Sequence, residues 1–470
     1  KGNVNWMKAH ETRMEHPVFG PHIGEIKPVI GVGLSDSGAL DTVFEVLTRA
    51  GRPAPMVKMM LVPEALTKSA TMPESHRSLI QYCNAVMEPW DGPAALAMYD
   101  GRWVVGGMDR NGLRPMRYTI TTDGLIIAGS ETGMVKIDES AVVEKGRLGP
   151  GAMIAIDLVE GRLYHDSQVK DLLAGQKPWG NWVKSTTQLD TLVKQASIQG
   201  EPAEMEKASL RRSQMAFGIT MEDMELILHP MVEDAKEAVG SMGDDSPIAV
   251  LSEKYRGLHH FFRQNFSQVT NPPIDSLRER RVMSLKTRLG NLGNILDESE
   301  TQCKLLQLES PVLTTAEFRA MRAYMGDTAA EIDATFPVDG GPDALRDALK
   351  RIRQEAEDAV RGGAEHVILT DERMGPARAA IPMILGTGAV HTHLVRNNLR
   401  TFTSLNVRSA ECLDVHYFAV LIGVGATTVN AYLAQEAIAD RQRRGLFGAM
   451  AVEEGVQRFK KAIDEGPLKI

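Results

Sequence analysis

The chain has 470 residues, a length that allows about two to four domains of roughly 150 residues, each able to bury its own core. Hydrophobic residues make up 43% of it and charged residues 24%, which is the composition of a globular protein and excludes a disordered or fibrous chain. The net charge of −8 provides no overall positive field for a polyanion, so we expect no nucleic-acid partner.

Membrane and metal chemistry are not predicted either. No apolar run approaches the roughly 20 residues that cross a bilayer, and Lys1–Trp6 contains no apolar signal segment, so we expect a cytoplasmic protein without a membrane partner. The cysteines Cys83, Cys303 and Cys412 lie far apart and form no C-x-x-C pair. We therefore expect reduced, buried thiols and no metal site.

The first element with a clear pattern is a helix that follows an apolar segment. Pro28–Leu34 reads as a short strand, and the apolar residues from Leu40 to Leu47 have helical spacing before Gly51 ends the pattern. The Ser35-Asp36-Ser37 cluster between them is a helix N-cap signal. Asp36 is thus predicted at a strand-to-helix junction, where backbone N–H groups favour an anion.

Residues 91–165 have a different character. Their short apolar segments are separated by dipeptides typical of hairpin turns: Asp100-Gly101, Asp123-Gly124 and Glu160-Gly161. Successive hairpins predict an antiparallel sheet. The predicted strands are Ala94–Tyr99, Trp103–Gly107, Met116–Thr121, Leu125–Ala128 and Met153–Leu158.

The C-terminal half alternates between helix and strand patterns, which indicates an α/β layer with parallel strands. We place a domain boundary near residue 185, in a polar, helix-forming stretch. The predicted fold is therefore an α+β domain followed by an α/β domain. The elements predicted beyond the boundary are a helix at Ala344–Arg361, a strand at His366–Leu369, a helix at Ala377–Leu385, strands at Thr401–Val407 and His416–Gly423, and a helix after Thr427.

The most specific local motif runs from Asp109 to Pro115 and is followed by Ser130-Glu131 at the end of a hairpin strand. Its Asn111-Gly112 pair suits a tight turn with positive φ, and Asp109 and Arg114 can hold one another across that turn. A well-capped turn with a surface ion pair would explain the same residues without any ligand.

Together with Ser35–Ser37 and Gly149–Gly151, this motif resembles the class II glutamine amidotransferase domain. Longer runs resemble the glutamate synthase family, in particular the large (alpha) subunits of its bacterial NADPH-dependent members, over nearly the whole chain. The runs that carry the resemblance are Met87–Pro93, Gly240–Asp245, His259–Asp275 and Arg288–Asn294.

The resemblance implies that residues 1–185 are the C-terminal part of an Ntn-type αββα amidotransferase domain and that residues 186–470 are most of an α/β central domain. It implies an oxidoreductase that hydrolyses L-glutamine, passes the ammonia through a tunnel and reductively aminates 2-oxoglutarate to L-glutamate. FMN and a 3Fe-4S cluster are implied for the parent enzyme, with FAD and NADPH brought by a small (beta) subunit, and none of these cofactors is expected on this chain. The expected partners are L-glutamine, ammonia, the remaining domains of the polypeptide and the small subunit.

The resemblance also assigns roles to individual residues. Asp36 matches the acid that grips the α-ammonium of glutamine, although a plain helix cap is an equally weighted alternative. Asp109, Arg114, Ser130 and Glu131 are expected to support that site. Thr270, Asn271 and Pro272 are expected along the ammonia path, with a buried interdomain loop as the alternative. The family's nucleophilic Cys and its oxyanion-hole Asn-Gly pair are expected upstream of Lys1, so the chain alone is expected to be inactive.

Two further readings remain open. One is a different class II amidotransferase that depends on phosphoribosyl diphosphate, which requires an acidic pair and a Gly-Thr-Thr loop after a strand. Gly425-Ala426-Thr427-Thr428 is a poor substitute because no acidic pair precedes it. The other is a scaffold or interaction module that keeps the fold without its chemistry.

Overall fold

A computed structural model describes residues 10–66, 72–195, 205–238, 251–253, 256–262 and 283–468. These residues form two compact units. Unit 1 consists of the described residues of Lys1–Thr186, Ser267–Met283 and Leu292–Leu305, and unit 2 of those of Thr187–Phe266, Ser284–Asn291 and Leu306–Ile470.

The first helix of unit 1 forms where the sequence predicts it. Ser35 Oγ accepts a hydrogen bond from the Gly38 N–H at 3.1 Å, and Gly51, with φ of +99°, follows the last turn. The apolar stripe of this helix, including Val43 and Leu47, is buried in the core of the unit. The helices of unit 1 are α1 Asp36–Arg49, α2 Ala54–Leu61, α3 Glu74–Val86, α4 Asp166–Ala174 and α5 Trp179–Val183.

The predicted antiparallel strands also form, in two sheets. The turn glycines Gly101, Gly124 and Gly161 have φ of +99°, +82° and +62°, the conformation for which glycine suits these turns. The strands are β1 Ala95–Tyr99, β2 Trp103–Met108, β3 Arg117–Thr121, β4 Ile126–Gly129, β5 Val142–Arg147, β6 Met153–Asp157 and β7 Arg162–Tyr164. One sheet has the order β1-β2-β6-β7 and the other β4-β3-β5, and every pairing in both is antiparallel.

The strand predicted at Pro28–Leu34 is wrong. Pro28 has no N–H, and the N–H groups of Val29 and Ile30 donate to the carboxylate of Glu11, at 2.8 and 3.4 Å, instead of to another strand. Asp36 therefore follows a loop, although it still opens a helix.

Helix α2 lies at the centre of unit 1. All eight of its residues are buried, and it packs against α1, α3 and strand β2. Gly107 on β2 makes room for Lys58 on this helix, because a Cβ at Gly107 would lie 2.9 Å from Lys58 Cε. A lysine is thereby enclosed in an otherwise apolar helix.

Unit 2 is built on the parallel sheet that the sequence predicts. Its strand order is β11-β17-β16-β14-β12, and all four pairings are parallel. The sheet is formed by β11 Val312–Leu313, β12 Ala329–Asp333, β14 His366–Thr370, β16 Ser404–Arg408 and β17 Thr428–Asn430. Shorter strands lie outside it: β8 Thr187–Gln188, β9 Thr287–Leu289, β10 Leu306–Leu308, β13 Thr335–Pro337 and β15 Arg378–Ala380.

Helices surround this sheet, and the predicted helix Ala344–Arg361 has the bounds that its periodicity indicates. Ile352 on that helix and Val367 on β14 belong to one apolar core. The helices of unit 2 are α6 Leu189–Gln195, α7 Lys207–Ala216, α8 Met221–Asp223, α9 His229–Glu233, α10 Thr315–Met325, α11 Ala344–Arg361, α12 Met383–Arg396, α13 Val415–Gly423, α14 Tyr432–Arg443 and α15 Val452–Glu465. Within the described ranges no helix is long and apolar enough to cross a bilayer.

Several predictions in unit 2 are corrected. His416–Gly423 is not a strand, because the Asp414 carboxylate accepts the Tyr417 N–H at 2.7 Å and caps α13. A short apolar run that is buried on most sides does not distinguish a strand from a helix by periodicity. The helix predicted at Ala377–Leu385 begins only at Met383, after Pro382, because a residue before proline disfavours helical backbone.

The two other boundaries shift as well. Arg400–Phe402 forms a 3-10 turn, so the strand predicted from Thr401 begins at Ser404. The segment after Thr427 first forms β17, and helix α14 begins at Tyr432.

Candidate functional site

A cleft in unit 1 has a volume of about 830 Å³ and is called here the α1 cleft. It is bounded by the N-terminal turns of α1, by Val62, by the stretch Trp90–Tyr99 that includes strand β1, and by Arg114. Four separate parts of the chain therefore meet around one concave surface, which is the usual form of a small-molecule site.

Asp36 is the first residue of α1 and lies at the rim of the cleft with an exposed side chain. The helix is capped by Ser35 and not by Asp36, so the Asp36 carboxylate is not used to satisfy the first turn. Among the described residues, no side-chain hydrogen bond or ion pair engages this carboxylate. It is available to a cationic group of a ligand.

Trp90 holds the first turn of α1 through a hydrogen bond to its main chain. Its indole N–H donates to the main-chain carbonyl of Asp36 at 3.4 Å, and its main-chain N–H donates to the Leu61 carbonyl at 2.6 Å. The side chain is 5% exposed and lines the cleft. The sequence places Trp90 in a run shared with the family but indicates no role for it, although a buried indole N–H usually finds a hydrogen-bond partner.

Asp109 organises the turn that carries Arg114, a residue of the cleft lining. Its carboxylate is buried and accepts four backbone N–H groups: Oδ1 from Asn111 at 3.1 Å and Leu113 at 2.9 Å, and Oδ2 from Ala94 at 3.2 Å and Arg114 at 2.9 Å. Asp109 thus bonds the main chain of Arg114 and not its guanidinium, so the surface ion pair considered above does not form.

Arg114 extends from this turn into the cleft. Its guanidinium is exposed, and no ion pair engages it within the part of the chain that the structure describes. The described lining thus presents a positive charge at Arg114 and negative charges at Asp36, Asp41 and Asp91. Such a surface suits a small zwitterion.

Ser130 and Glu131 are not brought to this site. Both lie after β4 in the second sheet, where Glu131 borders a separate small pocket together with Arg117 and Tyr118. Neither lines the α1 cleft. Thr270, Asn271 and Pro272, proposed for the ammonia path, lie outside the described residues, as do Gly240–Asp245 and most of His259–Asp275.

The three cysteines are buried and unbonded to one another. Burial raises the pKa of the Cys83 thiol to about 12 and that of Cys412 well above its usual value. Cys83 and Cys412 are therefore poor nucleophiles, because the thiolate is the reactive form. Within the described ranges there is also no group of three or more His, Cys, Asp or Glu side chains that could hold a metal ion.

The segment Gly425–Thr428 does not form a phosphate loop of the phosphoribosyl-diphosphate type. It follows helix α13 and leads into strand β17, which begins at Thr428, instead of following a strand. Its polar groups are already used, because the Gly425 carbonyl accepts from the Arg400 guanidinium and Thr427 Oγ1 accepts from the Leu405 N–H. This geometry removes the basis for that alternative.

Comparison with known families assigns both parts of the chain. Residues 1–182 match the class-II glutamine amidotransferases, so the cleft-bearing unit is of that class of enzyme domain. Residues 212–470 match the glutamate synthase central domain, and the chain belongs to the glutamate synthase family.

Curated relatives match over the full length of the chain. The glutamate synthase [NADPH] large chain of Azospirillum brasilense is 82% identical over 470 residues, which are 100% of this chain and 31% of that protein. The corresponding large chain of Bacillus subtilis (strain 168) and the ferredoxin-dependent chloroplastic glutamate synthase of Spinacia oleracea are each 39% identical, again over 100% of this chain and 30% of theirs. The chain thus spans about three tenths of the length of these relatives.

Proposed function

We propose that this chain is the part of a glutamate synthase large subunit that binds the amino-acid end of L-glutamine. The complete enzyme would hydrolyse L-glutamine, carry the ammonia to a second site and reductively aminate 2-oxoglutarate to L-glutamate. The observation that carries the proposal is the Asp36 carboxylate, which lies at the rim of the α1 cleft with no partner among the described residues.

In this proposal Asp36 accepts hydrogen bonds from the α-ammonium of glutamine. A fixed carboxylate makes charge-assisted bonds to an ammonium group, and these are about twice as strong as neutral ones. Asp109 supports the opposite wall through its four backbone bonds, and Arg114 adds the positive charge there. Support from Ser130 and Glu131 would act only through the sheet of β3, β4 and β5.

Glutamine hydrolysis also needs a thiolate nucleophile and an oxyanion hole. The buried thiols with raised pKa values in this chain do not suit that step. We therefore assign the nucleophile and the Asn-Gly oxyanion hole to the remainder of the enzyme and expect these 470 residues alone to show no glutaminase activity.

We assign residues 1–185 to an Ntn-type αββα amidotransferase domain and residues 186–470 to the central domain. Two antiparallel sheets with helices in unit 1, and a parallel sheet with helices in unit 2, support this division. Thr270, Asn271 and Pro272 are proposed to line the ammonia path.

Cofactors are proposed for the complete enzyme and not for this chain. FMN would supply the reducing chemistry at the 2-oxoglutarate site, with a 3Fe-4S cluster in the same subunit and FAD and NADPH on a small (beta) subunit. Identity of 82% to an NADPH-named large chain favours NADPH as the donor. We propose a cytoplasmic enzyme.

The test is Asp36→Asn in the complete enzyme, assayed once with glutamine and once with an ammonium salt in its place. Loss of a charged hydrogen bond of about 2–3 kcal/mol predicts a rise in KM for glutamine of about 30- to 150-fold. The ammonium-supported rate should stay unchanged because free ammonia bypasses the cleft. Glu45→Gln is the matched control, since it removes one negative charge from α1 outside the cleft. An unchanged KM in Asp36→Asn would refute the assignment.

A further inference from the structure

We propose that Lys58 is a positioning residue of the α1 cleft. The buried amino group of Lys58 holds the Gly149–Gly151 loop against the Asp109 turn and thereby fixes the position of Arg114, which this turn carries. The inference deepens the proposed function and rests on it for the identity of the ligand. The hydrogen bonds that carry it all lie within unit 1.

The burial of Lys58 requires an explanation. The residue lies on α2 between apolar neighbours and is 0% exposed. Lysine is almost never fully buried unless it is paired, because removing its amino group from water costs free energy that an apolar side chain would not. A methionine of similar length would fill the same space at lower cost.

No carboxylate provides that pairing in the described part of the chain. Three acids lie near enough to act on Lys58, and each has other partners. Glu64 and Asp166 are bound by Lys170, whose Nζ lies 2.6 Å from each of them, and the Asp109 carboxylate accepts four backbone N–H groups. Lys58 Nζ instead donates to the main-chain carbonyl of Gly151 at 2.5 Å. Lys58 is therefore retained for one main-chain contact and not for an ion pair.

That contact holds a loop which is confined on two further sides. Gly151 has φ of +68°, and a Cβ there would lie 2.6 Å from Glu64 Cα. On the other side Gly112 has φ of +67°, and its Cβ would lie 2.8 Å from Pro150 Cγ. The loop thus packs closely between the Glu64 backbone and the Asn111-Gly112 turn. Positions 112 and 151 require glycine because each has a positive φ and because a Cβ at either would lie too close to a neighbouring atom.

Hydrogen bonds connect this loop to residues that line the cleft. The Gly151 N–H donates to the Asp109 carbonyl at 2.8 Å. The Asp109 carboxylate then accepts the N–H groups of Ala94 and Arg114, both of which line the cleft. Three successive hydrogen bonds therefore connect the buried amine of α2 to the main chain of a cleft residue.

The connection does not depend on the charge of the amine. Burial, followed by the charge of Lys170, lowers the pKa of Lys58 to about 7, while Asp166, Glu64 and Asp109 oppose the shift. A neutral amine still has N–H groups to donate to the Gly151 carbonyl. Positioning is thus expected on both sides of neutral pH.

The test compares Lys58→Met with Val57→Ala in the complete enzyme. Both residues are fully buried on α2, but only the first substitution removes the bond to Gly151. We expect amide hydrogen exchange at Asn111, Leu113 and Arg114 to become at least 10-fold faster in Lys58→Met, with α3 unaffected, and no such local change in Val57→Ala. The proposal is overturned if the exchange rates at these three residues do not change in Lys58→Met, or if they rise equally in both variants.

Steady-state kinetics separate this inference from the proposed function. If both hold, KM for glutamine rises about 10-fold in Lys58→Met while the ammonium-supported rate is kept. Faster exchange at the turn with an unchanged KM supports the positioning role and contradicts glutamine as the ligand. If Lys58→Met does not fold, Lys58→Gln takes its place in the same measurements, with a smaller acceleration expected because it keeps a polar head group.

Discussion

The indole N–H of Trp90 donates a hydrogen bond to the main-chain carbonyl of Asp36 at 3.4 Å. Trp90, which lines the α1 cleft, therefore holds the helical turn that presents the Asp36 carboxylate. The bond leaves the Asp36 carboxylate itself unused. Position and charge of this acid are therefore controlled by different atoms, and each can be changed without the other.

Trp90→Phe is expected to raise KM for glutamine by about 2- to 12-fold, because it removes a bond of about 0.5–1.5 kcal/mol and keeps most of the ring volume. Steady-state kinetics of the complete enzyme measure the effect. Trp179→Phe is the matched control: it also breaks an indole bond to a main-chain carbonyl, that of Leu173 at 2.9 Å, but does not line the cleft. Equal changes in KM for the two variants would contradict a specific role of Trp90.

Ser35→Ala should lower the free energy of unfolding by about 1 kcal/mol, because it removes the side-chain cap of α1. Asp36→Asn should cost less, about 0.5 kcal/mol, since it removes only a favourable charge in the first turn. Urea unfolding of both variants checks the order. A larger loss in Asp36→Asn would show that Asp36 serves the helix first, which is the alternative that the sequence left open.

Asp109→Asn is expected to cost about 2–4 kcal/mol of stability and to weaken glutamine binding by more than 10-fold. An amide has a single acceptor atom, so its NH₂ group would face two of the N–H groups that Asp109 now accepts. Thermal unfolding and KM measure the two effects. Asp157→Asn provides the comparison, since that buried carboxylate also holds a turn, at Val159 and Glu160, but lies outside the cleft lining. It should lower stability and leave KM unchanged.

Stability should rise with pH above about 7 through Lys58. Its pKa is lowered from 10.5 to about 7 by burial, so between these values the unfolded chain binds a proton that the folded chain does not. The free energy of unfolding then increases by about 1.4 kcal/mol per pH unit from this group. Lys58→Met should flatten the slope between pH 7 and pH 9, as measured by urea unfolding. An unchanged slope would show that Lys58 stays protonated in the folded protein.

Elements with local signals were predictable. Helix α1 follows from the Ser35 cap and the spacing of its apolar residues, and the antiparallel strands follow from the dipeptides at Gly101, Gly124 and Gly161. These features depend on residues close in sequence. The strand prediction at Pro28–Leu34 failed because the hydrogen-bond partner is distant in sequence. The Glu11 carboxylate accepts the N–H groups of Val29 and Ile30, and no local sequence pattern indicates these bonds.

The candidate site shows the same division. The sequence, through its resemblance to a family, led to Asp36 and to the Asp109–Pro115 motif. It also grouped Ser130 and Glu131 with them, although neither lines the α1 cleft and Glu131 borders another pocket. It indicated no part for Trp90 or Lys58. A lysine within an apolar helix is visible in the sequence, but its acceptor is 93 residues away.

By itself, the sequence determined the family, the division into an antiparallel and a parallel half, and the cap that places Asp36 at the start of a helix. Only the tertiary structure decided which polar groups are already bonded and which remain for a ligand. The reason is physical: secondary structure follows from hydrogen bonds and apolar spacing over a few residues, whereas an available carboxylate at Asp36 and a confined amine at Lys58 depend on every segment that packs around them.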